Sequence, residues 1–337
     1  MQSESKLDWE DPIWLKQSHD WIRAETSQRN IKITGSIEQP HIYLWSTVLR
    51  IPTDEGTLFF KATAPETIYE AALTQKLAGW YPDCMPEFVA VDTTRGWMLM
   101  RDGGEPLRAS IRPTKDIAPW TPVIKLFSEV QVSSVEHVSE LLALGVPEWR
   151  LANLPNFYAQ LLTDAHSIRV DQEKGLTSEE FRRVQELAPR FVEICDQLAG
   201  FGIPETLNHG DFHDGNVLVK NGRVTLFDWG DGDISHPFVS LRTFFVSIEN
   251  SLELDDYAFT PEMKTLLDVY LEPWSKFGSK EKLLEAYFVS RCVASIVRAL
   301  AWHKTVSPLE GSLREKYAHI VPELLREFVE YEQRLSA

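Results

Sequence analysis

Hydrophobic and polar positions divide the chain into a strand-rich N-terminal part and a mostly helical remainder. Residues 45–51 alternate as a β-strand does, residues 52–56 have the composition of a turn, and residues 57–62 form a second candidate strand. From about residue 104 onward apolar residues recur mainly at helical spacing, and residues 281–304 are typical of a long, largely buried helix. We therefore expect an α+β protein.

Two boundaries within the helical part are predicted by local chemistry. Thr177 and Glu180 have the spacing of a capping box, so a helix should begin there and run to about Gly200. Pro189 should kink this helix or split it in two, because proline lacks the amide hydrogen that an α-helix needs.

A short segment combines an acid, an amide and a second acid. Asp211 is followed by Asn216 and, after two short apolar runs, by Asp228. The runs flank Asn221-Gly222, which is typical of a two-residue hairpin turn. A hairpin returns the chain antiparallel, so Asp228 should lie beside Asn216. Phosphoryl transfer needs this set: one carboxylate orients the attacking hydroxyl, while an amide oxygen and another carboxylate hold Mg²⁺ against the nucleotide phosphates.

The pattern H-G-D-x-H-x-x-N at residues 209–216, followed by D-W at residues 228–229, resembles the aminoglycoside phosphotransferase and choline kinase superfamily. These small-molecule kinases have a protein-kinase-like two-lobe fold. The resemblance implies a small nucleotide-binding lobe with an antiparallel sheet at residues 1–102. It implies a larger, mostly helical lobe at residues 103–337 with the catalytic loop, the metal site and the acceptor pocket. Gly210 stands where protein kinases carry arginine, which favours a metabolite or antibiotic kinase.

The motif assigns a role to each of its polar residues. Asp211 is the candidate catalytic residue, and Asn216 and Asp228 are the candidate Mg²⁺ ligands. His209 and His213 are interpreted as residues that orient the loop. His209, Asp211 and His213 also form an H-x-D-x-H run to which Asp228 could add a ligand, so a zinc hydrolase is an alternative. The absence of a second histidine cluster nearby and the scattered cysteines argue against it.

A kinase site also needs a cation for the nucleotide phosphates, aligned by an acid on a nearby helix. Lys61, near the end of the second candidate strand, is the predicted cation. The helical pattern of residues 64–77 carries Glu70, our preferred partner, and Glu66, the alternative one turn earlier.

Two further nucleotide-binding segments are predicted. In the resembled family a hinge segment meets the adenine edge through its backbone, and the residues placed there are Met98, Leu99, Met100 and Arg101. Residues 35–40 are the candidate phosphate-covering loop, although they contain a single glycine and no G-x-G-x-x-G pattern.

The acceptor pocket is the part that sequence patterns define least. In the resembled family it lies between the catalytic loop and the C-terminal helices. The candidate acceptor contacts are Asp231, Asp233, His236, Arg298 and Trp302. A purely structural role, such as capping or ion pairing, is the alternative for each of them.

Composition narrows the class of protein. The chain has 337 residues and a formal net charge of −16, which opposes a nucleic-acid partner because such partners need a basic face. No apolar stretch is long enough to span a membrane, and the first five residues lack the features of a signal peptide. Three unpatterned cysteines favour a reducing compartment, so we expect a cytoplasmic monomer or homodimer.

Together these features predict an enzyme that phosphorylates a hydroxyl group of a small molecule, with Mg²⁺ as cofactor and ATP or GTP as co-substrate. The acceptor classes that the resemblance implies are aminoglycoside-like, choline-like and amino-acid-like compounds. The alternative is a catalytically silent nucleotide-binding pseudokinase with a regulatory role, which the poor glycine content of residues 35–40 leaves open.

Overall fold

The computed structural model describes residues 8–254 and 259–336. These residues form two compact units. The first comprises residues 8–110, 143–146 and 214–230, and the second comprises 111–142, 147–213 and the remaining described residues from 231 onward. The predicted lobe boundary at residues 102 and 103 stays a prediction. Residues 1–5, from which no signal peptide is predicted, lie outside the described residues.

The first unit is built around a five-stranded antiparallel sheet with the strand order β1-β2-β3-β5-β4. A three-stranded sheet, β6-β8-β9, belongs to the same unit, and β7 and β10 pair in the second unit. In chain order the strands are β1 (Glu38–Ile42), β2 (Ser46–Thr53), β3 (Gly56–Thr63), β4 (Phe88–Asp92), β5 (Trp97–Arg101), β6 (Glu105–Pro106), β7 (Thr206–Asn208), β8 (Val217–Lys220), β9 (Arg223–Leu226) and β10 (Asp233–Ser235).

Helices account for most of the second unit, and the first two helices of the chain belong to the first unit. In chain order the α-helices are α1 (Pro12–Gln28), α2 (Tyr69–Trp80), α3 (Arg108–Thr114), α4 (Trp120–Ser134), α5 (Val138–Ala143), α6 (Leu154–Leu161), α7 (Ala165–Ile168), α8 (Ser178–Glu186), α9 (Ala188–Gly200), α10 (Leu241–Leu252), α11 (Pro261–Leu271), α12 (Lys280–Val306), α13 (Gly311–Tyr317) and α14 (Ile320–Ser336). Within the described residues, no helix combines the length and the apolar character needed to cross a membrane.

Helix α1 covers the sheet of the first unit with aromatic side chains. Asp11 caps the helix by accepting a hydrogen bond from the Ile13 amide, and a proline occupies the first helical turn. The rings of Trp14 and Trp21 lie 6.3 Å and 5.7 Å from that of Trp97 on β5. These contacts form an aromatic layer that packs helix α1 against one side of the sheet.

The predicted strands of the first unit are confirmed as β2 and β3, and α2 begins later than its sequence pattern predicted. A 3-10 turn at Pro65–Thr67 precedes it, and the α-helix starts at Tyr69. Strand β1 was not predicted. Four of its five residues are exposed and Pro40 interrupts it, so it lacks the alternation that marks a half-buried strand.

Local signals were reliable in the second unit. The capping box is present at Thr177 and Glu180, where α8 begins. The proline at position 189 divides the predicted helix into α8 and α9, with Leu187 between them. The predicted long helix is α12. A sheet-rich N-terminal part and a mostly helical remainder confirm the predicted α+β class.

Candidate active site

The hairpin predicted downstream of Asp211 is confirmed as β8 and β9. Its turn residues Asn221 and Gly222 have φ angles of 51° and 80°, as a tight turn with two left-handed residues requires. Beyond the last strand pair, the Phe227 amide donates a 3.2 Å hydrogen bond to the carbonyl of Asn216. This bond extends the pairing of the two strands by one step. Asn216 and Asp228 therefore lie together at the open end of the hairpin.

Lys61 joins two acids that are far apart in the chain. Its Nζ atom lies 2.6 Å from Oε1 of Glu70 and 2.6 Å from Oδ1 of Asp228. The predicted pair of Lys61 and Glu70 is therefore present, whereas Glu66 is exposed in the preceding 3-10 turn. Burial alone would lower the pKa of Lys61, but the charges of Asp228 and Glu70 raise it above its usual range. Lys61 is thus a permanent cation beside a candidate metal ligand.

The segment after β9 is held in an unusual backbone conformation. Asp228 has a φ of 65°, in the left-handed region that aspartate tolerates better than most residues. The Tyr69 hydroxyl donates a 2.6 Å hydrogen bond to the carbonyl of Gly230. A Cβ atom at Gly230 would lie 3.0 Å from Oε2 of Glu70, so glycine keeps room for the Glu70 carboxylate. Sequence patterns did not predict this contact of Tyr69.

The chemistry of Asn216 and Asp228 fits the implied Mg²⁺. Both side chains offer the hard oxygen atoms that this ion prefers. Asn216 is 6% exposed, whereas the Asp228 side chain is 43% exposed and can reach a nucleotide-bound ion. By contrast, no group of three or more His, Cys, Asp and Glu side chains in residues 8–254 and 259–336 is arranged to hold a metal ion.

The residues predicted to meet the adenine edge form the central part of β5. Met98, Leu99 and Met100 pair with β3 on one side and with β4 on the other. Their backbone groups are therefore engaged within the sheet. Arg101 ends the strand, where its side chain forms ion pairs with Glu55 and Glu87 on the protein surface.

Residues 35–40 do not form the turn between the first two strands. They lead into β1 and supply its first residues, and the turn itself is formed by residues 43–45. This turn carries no glycine. The ring of Tyr43 stacks on those of His41 and Trp45, at centroid distances of 6.1 Å and 5.8 Å.

Residues 209–213, the part of the predicted catalytic loop that lies in the second unit, pack against aromatic rings and are hydrogen-bonded at Asp211. His209 is fully buried and its ring lies 5.8 Å from that of Phe212 and 6.5 Å from that of Phe127. Nε2 of His213 lies 3.2 Å from Oδ2 of Asp211. The role of both histidines in orienting the loop stays a prediction.

Arg298 makes a contact with Asp211 that sequence patterns did not predict. From α12 it donates hydrogen bonds of 2.7 Å to Oδ1 of Asp211 and 2.7 Å to Oδ2 of Asp231. Burial alone would raise the pKa of Asp211, but the Arg298 guanidinium and the nearby His213 hold it well below its usual range. Arg298 and Asp231, both predicted acceptor contacts, bind each other, and a direct contact of either with the acceptor stays a prediction.

The remaining acceptor candidates differ in their surroundings. His236 is fully buried, its Nδ1 atom caps a 3-10 turn, and burial lowers its pKa to about 3, so its ring is neutral. Trp302 lies on α12, with its ring 5.6 Å from the Arg298 guanidinium. Asp233 is 1% exposed and, together with Gly210, helps to line a small open pocket of the second unit. A direct acceptor contact stays a prediction for Asp233, His236 and Trp302.

Comparison with known proteins gives a family match over part of the chain. Residues 141–249 match the model of the family described as phosphotransferase enzyme family. These residues include the predicted catalytic loop at residues 209–216, the β8–β9 hairpin and Asp228. No curated protein sequence matches the chain.

Three solved structures resemble the whole chain. An ethanolamine kinase from Plasmodium vivax has a TM-score of 0.60 at 13% identity, with 98% of this chain and 90% of that chain covered. A choline kinase from Cryptosporidium parvum has a TM-score of 0.60 at 11% identity, with 94% and 96% covered. The amicoumacin kinase hAmiN, in complex with AMP-PNP, Ca²⁺ and Ami, has a TM-score of 0.57 at 10% identity, with 96% of each chain covered.

At these identities the likenesses establish the fold alone, and they confirm the predicted protein-kinase-like architecture. Together with the family match, they confirm the predicted resemblance of this chain to the aminoglycoside phosphotransferase and choline kinase superfamily.

Proposed function

We propose that the protein transfers the terminal phosphate of ATP to a hydroxyl group of a small molecule. The observation that carries this proposal is the contact of Lys61 with both Glu70 and Asp228, which brings a cation and a candidate metal ligand together across 167 positions of the chain. Buried ion pairs contribute little net stability, so a structural role alone poorly explains why two acids, one of them half-exposed, hold this lysine.

Nucleotide binding is assigned to the first unit. Lys61 would contact the phosphates, and Glu70 would hold its ammonium group in place. For the base we assign the backbone of Asp102 and Gly103, which directly follows β5, because the backbone of Met98–Met100 is engaged in the sheet.

Asn216 and Asp228 would hold Mg²⁺, which neutralises phosphate charge when it is bound. Asp228 presents one oxygen atom to Lys61 already. The lysine and the acid are thus placed so that a phosphate and its counterion can be bound side by side, with little rearrangement of either residue.

Asp211 would accept a hydrogen bond from the acceptor hydroxyl and orient its oxygen for attack. Because its pKa is held low, it acts as a carboxylate over the physiological pH range. In such a reaction positioning and electrostatic stabilisation supply most of the rate enhancement.

The direct test is a screen for ADP release from Mg·ATP with panels of amino alcohols, aminoglycosides, macrolides, amino acids and sugars, repeated with GTP. ADP release that depends on one acceptor, and that is lost in Asp211→Asn, would support the proposal. Failure to bind either nucleotide would overturn it.

One observation favours the silent pseudokinase as a second candidate. The β1–β2 turn has bulky residues, Tyr43, Leu44 and Trp45, in place of glycines that would let the backbone approach phosphates. A protein that binds Mg·ATP tightly but releases no ADP with any acceptor class would agree with that alternative.

A further inference from the structure

A single arginine joins the catalytic loop to the segment that follows the hairpin. Besides its bonds to Asp211 and Asp231, Nη1 of Arg298 donates a 3.1 Å hydrogen bond to the carbonyl of Gly210. The side chain of Arg298 is 13% exposed. One guanidinium group therefore binds two consecutive residues of the loop and a third residue beyond the hairpin.

The contact is well suited to fixing an orientation. The guanidinium is planar and its donors have fixed directions, so two acceptors bound by its terminal nitrogens cannot rotate independently. Oδ1 of Asp211 receives Arg298, and Oδ2 lies 3.2 Å from Nε2 of His213. Both oxygen atoms of the predicted catalytic carboxylate thus have a defined partner.

The helix that carries Arg298 is itself rigidly placed. On α12 the neighbouring residues Val297 and Ala299 are 3% and 0% exposed, and α12 packs against α14. A side chain on a buried helix holds its partners more accurately than one on a loop. The position of Asp211 is therefore tied to the core of the second unit.

We propose that Arg298 is a positioning residue, which holds the Asp211 carboxylate in the orientation that the acceptor hydroxyl requires. This inference rests on the proposed function. Gly210 stands at the position of arginine in the protein-kinase pattern, and Arg298 brings a guanidinium to the same loop from a helix 87 positions away.

Two simpler roles for Arg298 predict different effects of its substitution. If Arg298 bound the acceptor or its phosphate, its loss would mainly raise the KM of the acceptor. If it were only a stabilising ion pair, its loss would lower stability and leave the turnover of the folded enzyme unchanged.

The chain offers a matched control for the second role. Arg326 on α14 also donates hydrogen bonds to two carboxylate oxygens and one carbonyl, from Glu180 and Gly175. Its partners lie at the start of α8 and not in the catalytic loop. Arg326→Met therefore removes a comparable set of bonds without touching Asp211.

The kinetic experiment compares Arg298→Met, Arg298→Lys and Arg326→Met in the full chain. We expect Arg298→Met to lower kcat by roughly 100-fold, as misplacement of a reacting group by about 1 Å can do. The KM of ATP should stay within about twofold. Lysine keeps the charge but not the planar fork, so Arg298→Lys should recover part of the loss. Arg326→Met should keep the wild-type kcat.

A second readout does not depend on activity. Hydrogen–deuterium exchange of peptides that cover residues 209–213 should become faster in Arg298→Met and remain unchanged in Arg326→Met. Unchanged exchange and unchanged kcat in a folded Arg298→Met protein would overturn the inference. So would a raised acceptor KM with unchanged kcat. Should Arg298→Met fail to fold, Arg298→Lys with wild-type kcat and exchange would contradict it equally.

Failure of the proposed function has a different signature. A wild-type protein that phosphorylates no acceptor, together with faster loop exchange in Arg298→Met, would leave the contact established and remove its catalytic meaning. In that case the arginine would order the loop for binding alone.

Discussion

The Nζ atom of Lys61 lies 2.6 Å from Oδ1 of Asp228, although 167 positions separate the two residues. Lys61 is almost fully buried, whereas nearly half of the Asp228 side chain is exposed. In this pair the cation is buried and held in place, whereas the acid is accessible to a ligand. This arrangement suits the proposed site for a metal-bound polyphosphate, in which the two charges would contact different parts of the same ligand.

Loss of the Asp228 carboxylate should weaken nucleotide binding itself. Asp228→Ala removes one of the two candidate metal ligands, and loss of even an outer partner of a metal ligand typically costs 10–100-fold in metal affinity. We expect a decrease of at least roughly tenfold in the affinity for Mg·ATP. Isothermal titration calorimetry with Mg·ATP measures this directly.

Asp92 provides a control in the same unit. It forms an ion pair with Arg95 three residues away and takes no part in the candidate site. Asp92→Ala should bind Mg·ATP as the wild type does. Equal affinity of Asp228→Ala and wild type would remove the metal role of Asp228.

Asp211→Asn should affect turnover and spare nucleotide affinity. The amide keeps the shape of the side chain but loses the negative charge that orients the hydroxyl and accepts the hydrogen bond of Arg298. A fall in kcat of roughly 10²–10⁴ is expected for the loss of a charged group that orients the reacting hydroxyl. The measurement is ADP release at saturating acceptor, with the Kd of Mg·ATP determined in parallel. Wild-type turnover in this variant would contradict the assignment of Asp211.

Sequence patterns predicted those parts of the site that depend on one element or on two elements adjacent in the chain. The Asn221-Gly222 turn determines the hairpin, and the hairpin determines that Asn216 and Asp228 end up together. Glu70 could be chosen because it lies on the helix that directly follows the strand of Lys61. Each inference needed only the geometry of one or two adjacent elements.

The missed features depend on distant contacts or on absent patterns. The bond between Arg298 and Asp211 spans 87 positions and no periodicity encodes it. The engagement of Met98–Met100 on both sides became visible only with the strand order, because an apolar strand can be central or can border a ligand. Strand β1 has no hydrophobic alternation to reveal it.

The stability of the protein should depend on pH through Asp233. Burial raises the pKa of this carboxyl group to about 7, although Ser235 and Asn208 lower it in part. An unfolded aspartate titrates near pH 3.9. Between about pH 4 and pH 7 the folded state therefore keeps a proton that the unfolded state has lost, so stability falls as pH rises through this interval.

Asp233→Asn removes this dependence. The amide carries no charge, so the variant should be more stable relative to wild type at pH 8 than at pH 5, where most of the folded Asp233 is still protonated. Thermal unfolding at the two pH values measures the difference. The exposed Asp196 on α9 provides the control, and Asp196→Asn should follow the wild-type pH dependence. An advantage of Asp233→Asn that is equal at both pH values would contradict the raised pKa.

Gly210→Ala should damage both stability and turnover, because glycine is needed there for two reasons. Its φ is 72°, in the left-handed region that costs an alanine roughly 1–2 kcal/mol. A Cβ atom would also lie 2.0 Å from the carbonyl oxygen of Asp231, a backbone atom that can move only with its segment. Gly202 provides the control that separates the two effects, since its φ is 68° and a Cβ atom there would meet nothing within 4 Å. Gly202→Ala should therefore lose only the stability that the left-handed conformation costs, and it should keep full activity.

Gly210→Ala should lose roughly 1–3 kcal/mol more in unfolding free energy than Gly202→Ala, as overpacked sites do. Its kcat should fall because the shift of the backbone displaces Asp211. Urea unfolding and ADP release measure the two quantities, and equal losses in both variants would show that the approach of Asp231 does not constrain the loop.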